Sequence, residues 1–317
     1  MMRNVQRTGI GSELGKKLRV PVINRFLTDL ATISSQYSDG TATADFPVGK
    51  YTYQLFQIGV RSSAAIAGKT IEKGGEHFVK TANLAEFVEE VSLVINGTVE
   101  RRIPIELLLK LNASKGLNTT DGFAYMTFGG PHEFWEKAAE DAYMLGTGNL
   151  RDLRLDFKLK TAWADGTMFL HLGAEVAREA KPLEFISTMK SRRYSLGSAG
   201  EHSITDLPIN ADIARIYVFG TGLKRTEFEV DGETVFKANS YCVEGLNTLY
   251  GADVTALDDG VVFDFWRSGE VEKGLKSLEG DAQRKRNADI QIMLETAAAN
   301  TEVQIVMELA GRYVTQQ

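Results

Sequence analysis

Residues 46–59 read FPVGKYTYQLFQIG, and residues 207–220 read LPINADIARIYVFG. The two segments align without a gap, because each begins with an apolar residue and a proline and each ends with glycine. The offset between them is 161 positions, and Pro21 and Pro182 keep that same offset of 161. Repetition at a fixed spacing indicates that one structural unit occurs twice in the chain.

A second pair of segments carries the repeat further. Residues 91–103 (VSLVINGTVERRI) resemble residues 227–239 (EFEVDGETVFKAN), and aligning the two segments on their turn dipeptides places Asn96-Gly97 over Asp231-Gly232 at an offset of 135. These dipeptides favour two-residue hairpin turns, because a type I′ turn needs positive φ at both central positions. We predict a structural hairpin turn at each dipeptide. The offset between the copies falls from 161 to 135, and this difference predicts an inserted loop in the first copy, at about residues 60–86.

Strand patterns fill most of each copy. In residues 151–160 (RDLRLDFKLK) and 288–296 (ADIQIMLET), apolar and polar side chains alternate with period 2. This pattern is typical of antiparallel strands that bury one face. A parallel sheet would need crossover helices and longer apolar runs, and neither recurs in the sequence.

One helical segment follows each predicted hairpin, at residues 104–115 and 240–250, and a glycine comes directly after each of them. Glycine is common just past a helix end. Each copy has seven or eight candidate strands with long connections. The sequence therefore predicts an all-β fold of two tandem antiparallel jelly-roll β-sandwiches, with one short helix after the hairpin of each.

The repeat also predicts how the chain is divided. We expect a basic N-terminal arm at residues 1–17, a first jelly roll at 18–178 and a second at 179–317. The joint between the rolls reads AREAKPL at residues 177–183 and contains no Gly/Ser linker. We therefore expect the two rolls to be held rigidly together.

Composition narrows the class of protein. The chain has 317 residues, of which 43% are hydrophobic, and a formal net charge of −6. This composition is typical of a globular protein and argues against one whose main task is coating nucleic acid. The lone Cys242 excludes an internal disulfide and favours synthesis in the cytoplasm. The sequence shows neither an apolar signal segment at its start nor a run long enough to cross a bilayer.

The predicted arm differs in charge from the rest of the chain. It carries Arg3, Arg7, Lys16 and Lys17 against a single acidic residue, Glu13. One interpretation is an arm that contacts an anionic partner. The other is a frayed terminus whose charge is incidental.

One segment approaches a nucleotide-binding motif. Residues 62–70 read SSAAIAGKT, but a phosphate-binding loop would need glycine in place of Ser63 and a helix beginning at Lys69. Gly74-Gly75 would end such a helix at once. A flexible surface loop is the favoured interpretation.

Metal and catalytic sites also lack their motifs. The acidic residues Asp253, Asp258 and Asp259 do not have the spacing of a calcium loop, so calcium is possible but no motif supports it. The four histidines are scattered, without a metal-binding spacing, at His77, His132, His171 and His202. We predict no catalytic residue, no cofactor and no metal site, and hence a protein that is not an enzyme.

In their order, these segments resemble the double jelly-roll major capsid proteins of tailless, icosahedral bacteriophages with an internal membrane, especially the corticovirus-like branch. The resemblance covers nearly the whole chain after about residue 18. It rests on FPVGKYTYQLFQIGV, on VSLVINGTVERRI followed by IELLLKLNA, on AYMTFGGP, on AYMLGTGNLRDLRLDFKL, and on SITDLPINADIARIYVFG followed by EFEVDGETVF.

The resemblance implies a structural virion protein. It implies a homotrimer that forms a pseudo-hexagonal tile of an icosahedral shell, with minor capsid, penton and membrane proteins of the virion as partners. It places the N-terminal arm near an internal lipid membrane and implies no sequence-specific binding of nucleic acid. The alternative is a jelly-roll module that binds a carbohydrate or a receptor, as in a spike.

Overall fold

The computed structural model describes residues 24–115, 117, 122–128, 144–163, 166–207, 211–242, 245, 260–265, 278–279, 286–287 and 289–313. The predicted arm at residues 1–17 lies outside these ranges. The first half of the chain contains twelve described strands: β1 (Asn24–Thr28), β2 (Thr32–Gln36), β3 (Thr41–Asp45), β4 (Thr52–Ser62), β5 (Thr70–Lys73), β6 (Glu76–Val79), β7 (Val88–Ile95), β8 (Thr98–Pro104), β9 (Phe123–Thr127), β10 (Leu145–Gly146), β11 (Leu153–Leu159) and β12 (Met168–Ala177).

The second half contains ten described strands: β13 (Phe185–Leu196), β14 (Gly200–Ile204), β15 (Asp212–Gly220), β16 (Leu223–Val230), β17 (Glu233–Asn239), β18 (Val261–Asp264), β19 (Leu278–Glu279), β20 (Arg286–Asn287), β21 (Ile290–Thr296) and β22 (Thr301–Arg312). Helix α1 spans Ile105–Ser114, and short 3-10 helices span Tyr37–Asp39 and Thr81–Glu86. Within the described part of the chain, none of the helices has the length and apolar character needed to cross a bilayer.

Both halves contain the same two sheets. In the first half, one sheet runs β1-β12-β4 and continues with β9, while the other contains β3-β11-β7-β8. In the second half, the corresponding sheets run β13-β22-β15-β18 and β14-β21-β16-β17. Every one of these pairings is antiparallel. Two packed four-stranded sheets make a jelly roll, so the predicted fold of two tandem jelly-roll sandwiches is confirmed. We call them the first and the second sandwich.

The β7-β8 hairpin of the first sandwich and the β16-β17 hairpin of the second have the same register of paired residues. In the first sandwich Leu93 lies opposite Arg101, and in the second Phe228 lies opposite Phe236. Each hairpin then shifts register at a bulge, at Glu100 and at Val235. All of these positions differ by the 135 residues of the sequence repeat.

The alignment of residues 46–59 with residues 207–220 needs a correction of one residue. Strand β4 has its bulge at Gln54, whereas β15 has its bulge at Ala214, so the structural offset is 160 and not 161. With this offset, Phe56 and Ile216 occupy the same inward position in their sandwiches. The gapless alignment matched the prolines and glycines at the ends, but a one-residue shift turns every side chain of a strand to the other face.

The inserted segment is a second difference from the sequence prediction, which expected a loop at residues 60–86. Here β5 and β6 form an antiparallel hairpin, and β6 pairs with the end of β4 at Arg61 and Ser62. The turn between them contains Gly74 and Gly75, both with positive φ. Two adjacent glycines allow the tight turn that joins two strands, so the insertion extends the sheet.

Helix α1 closes one end of the first sandwich. Pro104 precedes its first turn, and Ile105, Leu107, Leu108 and Leu111 are buried in the first core. Proline fits this position because the early N–H groups of a helix have no partner within the helix. In the second sandwich, residues 240–242 are helical at the predicted place, and most of the predicted helix lies outside the described residues.

Candidate functional site

The two sandwiches meet at a buried cluster of charged and polar side chains. We call it the junction cluster, and its members are Arg101, Lys115, Ser187, Arg215, Tyr217 and Glu308. Its centre is Glu308 on β22, which is 0% exposed. β22 is the middle strand between β13 and β15, so Glu308 lies beside side chains of both neighbours.

The second sandwich supplies three hydrogen bonds to this carboxylate. Ser187 Oγ donates to Glu308 Oε1 at 3.0 Å. Arg215 Nη1 and Tyr217 OH donate to Oε2 at 3.0 and 3.1 Å. A buried carboxylate needs such partners, because removing a charge from water is costly unless it is paired and hydrogen-bonded.

The first sandwich contributes two cations to the same cluster. Lys115, at the end of α1, places Nζ 3.7 Å from Glu308 Oε2. Arg101 on β8 donates from Nε to the carbonyl oxygen of Ser187 at 2.6 Å and from Nη1 to that of Thr127 at 2.8 Å. The contacts of Lys115 with Glu308 and of Arg101 with Ser187 join the two sandwiches, and the bond to Thr127 anchors the Arg101 guanidinium within the first sandwich.

The cluster changes the titration of its members. Burial alone would raise the pKa of Glu308, but Lys115, Arg215 and Arg101 outweigh burial and hold that pKa well below its usual range. Burial lowers the pKa of Arg101, while Glu308 and Tyr217 oppose this change. The carboxylate therefore stays ionised at neutral pH and remains an acceptor for its donors.

Apolar side chains surround the junction cluster. Tyr217, Phe219, Val306 and Ile186 of the second sandwich are buried together with the core of the first sandwich. The guanidinium of Arg101 also lies 4.8 Å from the centre of the Phe128 ring. Because this contact is continuous with a sandwich core, the two sandwiches pack more like parts of one domain than like two domains in loose contact.

The segment that joins the two sandwiches is closely packed against residues 146–149 of the first sandwich. A Cβ at Gly146 would lie 2.5 Å from the carbonyl oxygen of Lys181 and 2.7 Å from that of Pro182. Nearby, Leu183 N donates to Asn149 Oδ1 at 2.7 Å, and Asn149 Nδ2 donates to Leu183 O at 3.2 Å. These contacts support the expectation of a rigid joint.

The predicted turn residues occupy matching positions in the two sandwiches. Asn96 and Gly97 have φ values of 50° and 78°, and Asp231 and Gly232 have values of 50° and 80°. They join β7 to β8 and β16 to β17. Positive φ at both central positions is the geometry of a type I′ turn.

Each turn is also tied to the next strand of its sheet in the same way. Asn96 N donates to the carbonyl oxygen of Asp152 at 3.1 Å, and Asp152 N donates back to Asn96 Oδ1 at 3.3 Å. In the second sandwich, Asp231 N and Asp289 O are 2.7 Å apart, and Asp289 N donates to Asp231 Oδ1 at 3.0 Å.

The segment that approached a nucleotide-binding motif does not have its structure. Thr70 begins strand β5 rather than a helix, and Lys69 Nζ forms an ion pair with Glu86 Oε2 at 2.5 Å. A phosphate-binding lysine must precede a helix whose N-terminus faces the phosphates. The geometry therefore agrees with a structural segment, although it is a hairpin and not the loop that we expected.

The residues considered for membrane contact and for calcium binding lie outside the described residues. These are Arg3, Arg7, Lys16 and Lys17 of the arm, and the acidic residues Asp253, Asp258 and Asp259. Within the described ranges, His, Cys, Asp and Glu side chains do not form any group of three or more that could hold a metal ion.

The junction cluster was not predicted from the sequence, but two signals for it exist. Arg215 interrupts the apolar run of IARIYVFG, and Glu308 interrupts that of IVMELAG. A charged residue in the middle of a buried strand needs a partner of opposite charge nearby. The sequence does not show that these two residues meet.

Comparison with known proteins agrees with this fold. Residues 186–313 match the family model described as "Viral coat protein P2 C-terminal domain". No curated protein is similar enough in sequence to match the chain.

Solved structures are similar over nearly the whole chain. The major capsid protein P2 from bacteriophage PM2 has 17% identity and a TM-score of 0.71, covering 93% of this chain and 99% of that chain. The STIV major capsid protein has 9% identity and a TM-score of 0.60, covering 91% and 96%. The PBCV-1 virus capsid has 10% identity and a TM-score of 0.59, covering 94% and 96%.

These proteins are coat proteins, which agrees with the prediction of a structural protein rather than an enzyme. Residues 186–313 thus match a viral coat protein domain, and the chain as a whole has the double jelly-roll fold of viral major capsid proteins.

Proposed function

We propose that this chain is the major capsid subunit of a virus, and that it acts as a homotrimeric tile of an icosahedral shell around an internal membrane. The observation that carries the proposal is the pair of sandwiches with the same strand order, joined within one chain by buried polar contacts. The matching coat-protein domain and the similar solved capsid proteins support it.

A rigid pair of sandwiches suits this task for a geometric reason. Three chains with two sandwiches each present six similar sides, so one protein can make similar contacts all round a six-sided tile. Obligate interfaces of this kind bury on the order of 2,000 to 5,000 Å². Many weak contacts between tiles can then stabilise a closed shell.

The assembly would involve further partners. The proposal includes minor capsid, penton and membrane proteins of the same virion, after synthesis in the cytoplasm of a host bacterium. It also assigns the basic arm to the lipid surface, because each Lys or Arg close to an anionic membrane contributes about 1 kcal/mol to binding.

Reversing the charges of Arg3, Arg7, Lys16 and Lys17 tests the role of the arm. The variant should bind anionic liposomes more weakly than the parent protein at low salt. Equal binding by the two proteins would exclude this role.

The mass of the purified protein in solution tests the proposed function. Light scattering after size exclusion should give about three times the chain mass of 34.9 kDa. A stable monomer that also binds defined glycans on an array would contradict the proposal and favour the alternative of a carbohydrate- or receptor-binding module.

A further inference from the structure

The turn of the β7-β8 hairpin contains a chemically labile amide. Asn96-Gly97 is the only Asn-Gly dipeptide in the chain. Asparagine is a thermolabile residue, and it cyclises most readily before glycine, because glycine has no side chain to shield its backbone nitrogen from the neighbouring amide. Asn96 is half-buried and Gly97 is exposed, so water reaches the turn.

The amide oxygen of Asn96 and the backbone nitrogen of Gly97 both contact residue 152. Arg151 N and Asp152 N donate to Asn96 Oδ1 at 2.7 and 3.3 Å. Two N–H groups on a carbonyl oxygen stabilise the negative charge that develops there when a nucleophile attacks the carbon. Gly97 N donates to Asp152 Oδ2 at 3.2 Å, which places a carboxylate to accept the proton of an attacking nitrogen.

The nitrogen of the same amide contacts a phenol. Asn96 Nδ2 donates to Tyr313 OH at 3.1 Å. Burial raises the pKa of Tyr313 more than its hydrogen bond with Asn96 lowers it, and the charges of Glu100 and Asp152 raise it further. The phenol therefore stays protonated at neutral pH and can give a proton to a leaving nitrogen. A base, two oxyanion donors and an acid thus surround one amide.

We propose that Asn96 is a self-modification site, at which the folded protein converts the side-chain amide into a succinimide and then into aspartate or isoaspartate. Gly97 N gives its proton to Asp152 and forms a bond to Asn96 Cγ. The Cγ–Nδ2 bond breaks, and a proton from Tyr313 OH lets the nitrogen leave as ammonia. Proton exchange with solvent restores Asp152 and Tyr313, so the step needs no oxidant or reductant. Water then adds to either carbonyl carbon of the ring and opens it.

The second sandwich shows that this turn accepts a carboxylate. The equivalent of Asn96 is Asp231, and both residues have a φ of 50°. Asp231 Oδ1 accepts from Asp289 N at 3.0 Å, as Asn96 Oδ1 accepts from Asp152 N. An aspartate at position 96 therefore fits the turn and its tie to the next strand of the sheet.

The reaction changes a contact between the two sandwiches. Tyr313 directly follows β22 of the second sandwich, so its bond with Asn96 joins the sandwiches at this end. The product lacks the Nδ2–H donor and carries a negative charge beside Asp152. Isoaspartate also adds a methylene to the backbone of a turn that requires positive φ at both central positions. The modification therefore weakens this end of the contact between the sandwiches.

Incubation of the full-length protein at neutral pH, in water enriched in the heavy oxygen isotope, tests the proposal. Hydrolysis of the succinimide incorporates the label, and peptide mapping by mass spectrometry after digestion in acid locates it. We expect label at residue 96 and no detectable label at Asn300. Asn300 is a matched control, because it is exposed with a φ of 57° between β21 and β22 but precedes threonine.

Asp152→Asn isolates the role of the base. The new amide oxygen can still accept from Gly97 N, but it does not take the proton. A positioned base contributes on the order of 100-fold to a rate, so we expect the folded variant to convert at least about tenfold more slowly than the parent. The matched control is Asp156→Asn, because Asp156 lies on β11 and accepts from Arg154 Nε at 3.0 Å, and it should leave the rate unchanged.

Tyr313→Phe tests the acid in the same way, because it keeps the ring and removes the phenol. It should slow the conversion in the folded protein. In urea, the parent and all variants should convert at one common rate, slower than that of the folded parent, because Asp152 and Tyr313 are then no longer held beside the turn.

Two results would overturn the proposal. A folded parent that converts Asn96 no faster than its urea-unfolded chain would show that the contacts protect the amide. A folded Asp152→Asn variant that converts at the parent rate would show that the carboxylate is not the base. Neither result bears on the proposed function, which is tested by the mass of the oligomer.

Discussion

Glu308 lies buried where the two sandwiches meet. Its carboxylate accepts hydrogen bonds from Ser187, Arg215 and Tyr217 and lies 3.7 Å from Lys115 of the first sandwich. A buried ion pair of this kind contributes less to net stability than to a unique geometry. We infer that this pair helps to set the orientation of the two sandwiches, because Lys115 belongs to the first sandwich and Glu308 to the second.

Replacing this carboxylate should destabilise the protein. Glu308→Gln leaves buried cations without their anion, so we expect a loss of about 3 kcal/mol in the free energy of unfolding at pH 7. Urea unfolding measures this change. The control is Glu302→Gln, an exposed position on the same strand, and an equal loss in both variants would contradict the role of Glu308.

The same substitution should change the response to acid. The pKa of Glu308 is lowered in the folded protein, so its contribution is fully present above the unfolded value of about 4.3 and is lost as the pH falls below it. The parent protein should therefore lose more stability between pH 6 and pH 3 than Glu308→Gln does. Parallel pH curves for the two proteins would show that Glu308 is not the group responsible.

At the scale of elements, sequence signals were reliable where they were local. Asn96-Gly97 and Asp231-Gly232 predict turns because so few residues tolerate positive φ, and these residues adopt it. Gly74-Gly75 carried a similar signal, but we used it only as an argument against a helix and expected a loop, although it is the turn of the β5-β6 hairpin.

Signals that depend on contacts between distant strands were less reliable. The position of the bulges at Gln54 and Ala214 follows from pairing with β12 and β22, which are distant in sequence. The junction cluster likewise joins Arg101 to strands more than 80 residues away. No local pattern encodes such a meeting.

Gly146 provides a test at this scale. Gly146→Ala would push a methyl group against the carbonyl oxygens of Lys181 and Pro182, at 2.5 and 2.7 Å. Because this overpacking falls on backbone atoms, we expect a loss of about 1 to 3 kcal/mol in thermal or urea unfolding. Gly197→Ala, where a Cβ meets nothing within 4 Å, should be tolerated. Equal stability of the two variants would mean that the joint is not tightly packed.

At the scale of the whole molecule, the shared features of the two sandwiches indicate that one structural unit was duplicated. The same strand orders, the same hairpin register and the matching ties at Asn96 and Asp231 indicate one unit used twice. The two copies differ where their environments differ, because β8 is covered by the second sandwich and β17 is largely exposed among the described residues.

An image of the purified oligomer along its symmetry axis is the most direct test of this account. Electron microscopy class averages should show three-fold symmetry with six lobes of similar size, two from each chain, arranged in a ring. A particle with three lobes, with two-fold symmetry, or with only one chain would contradict it.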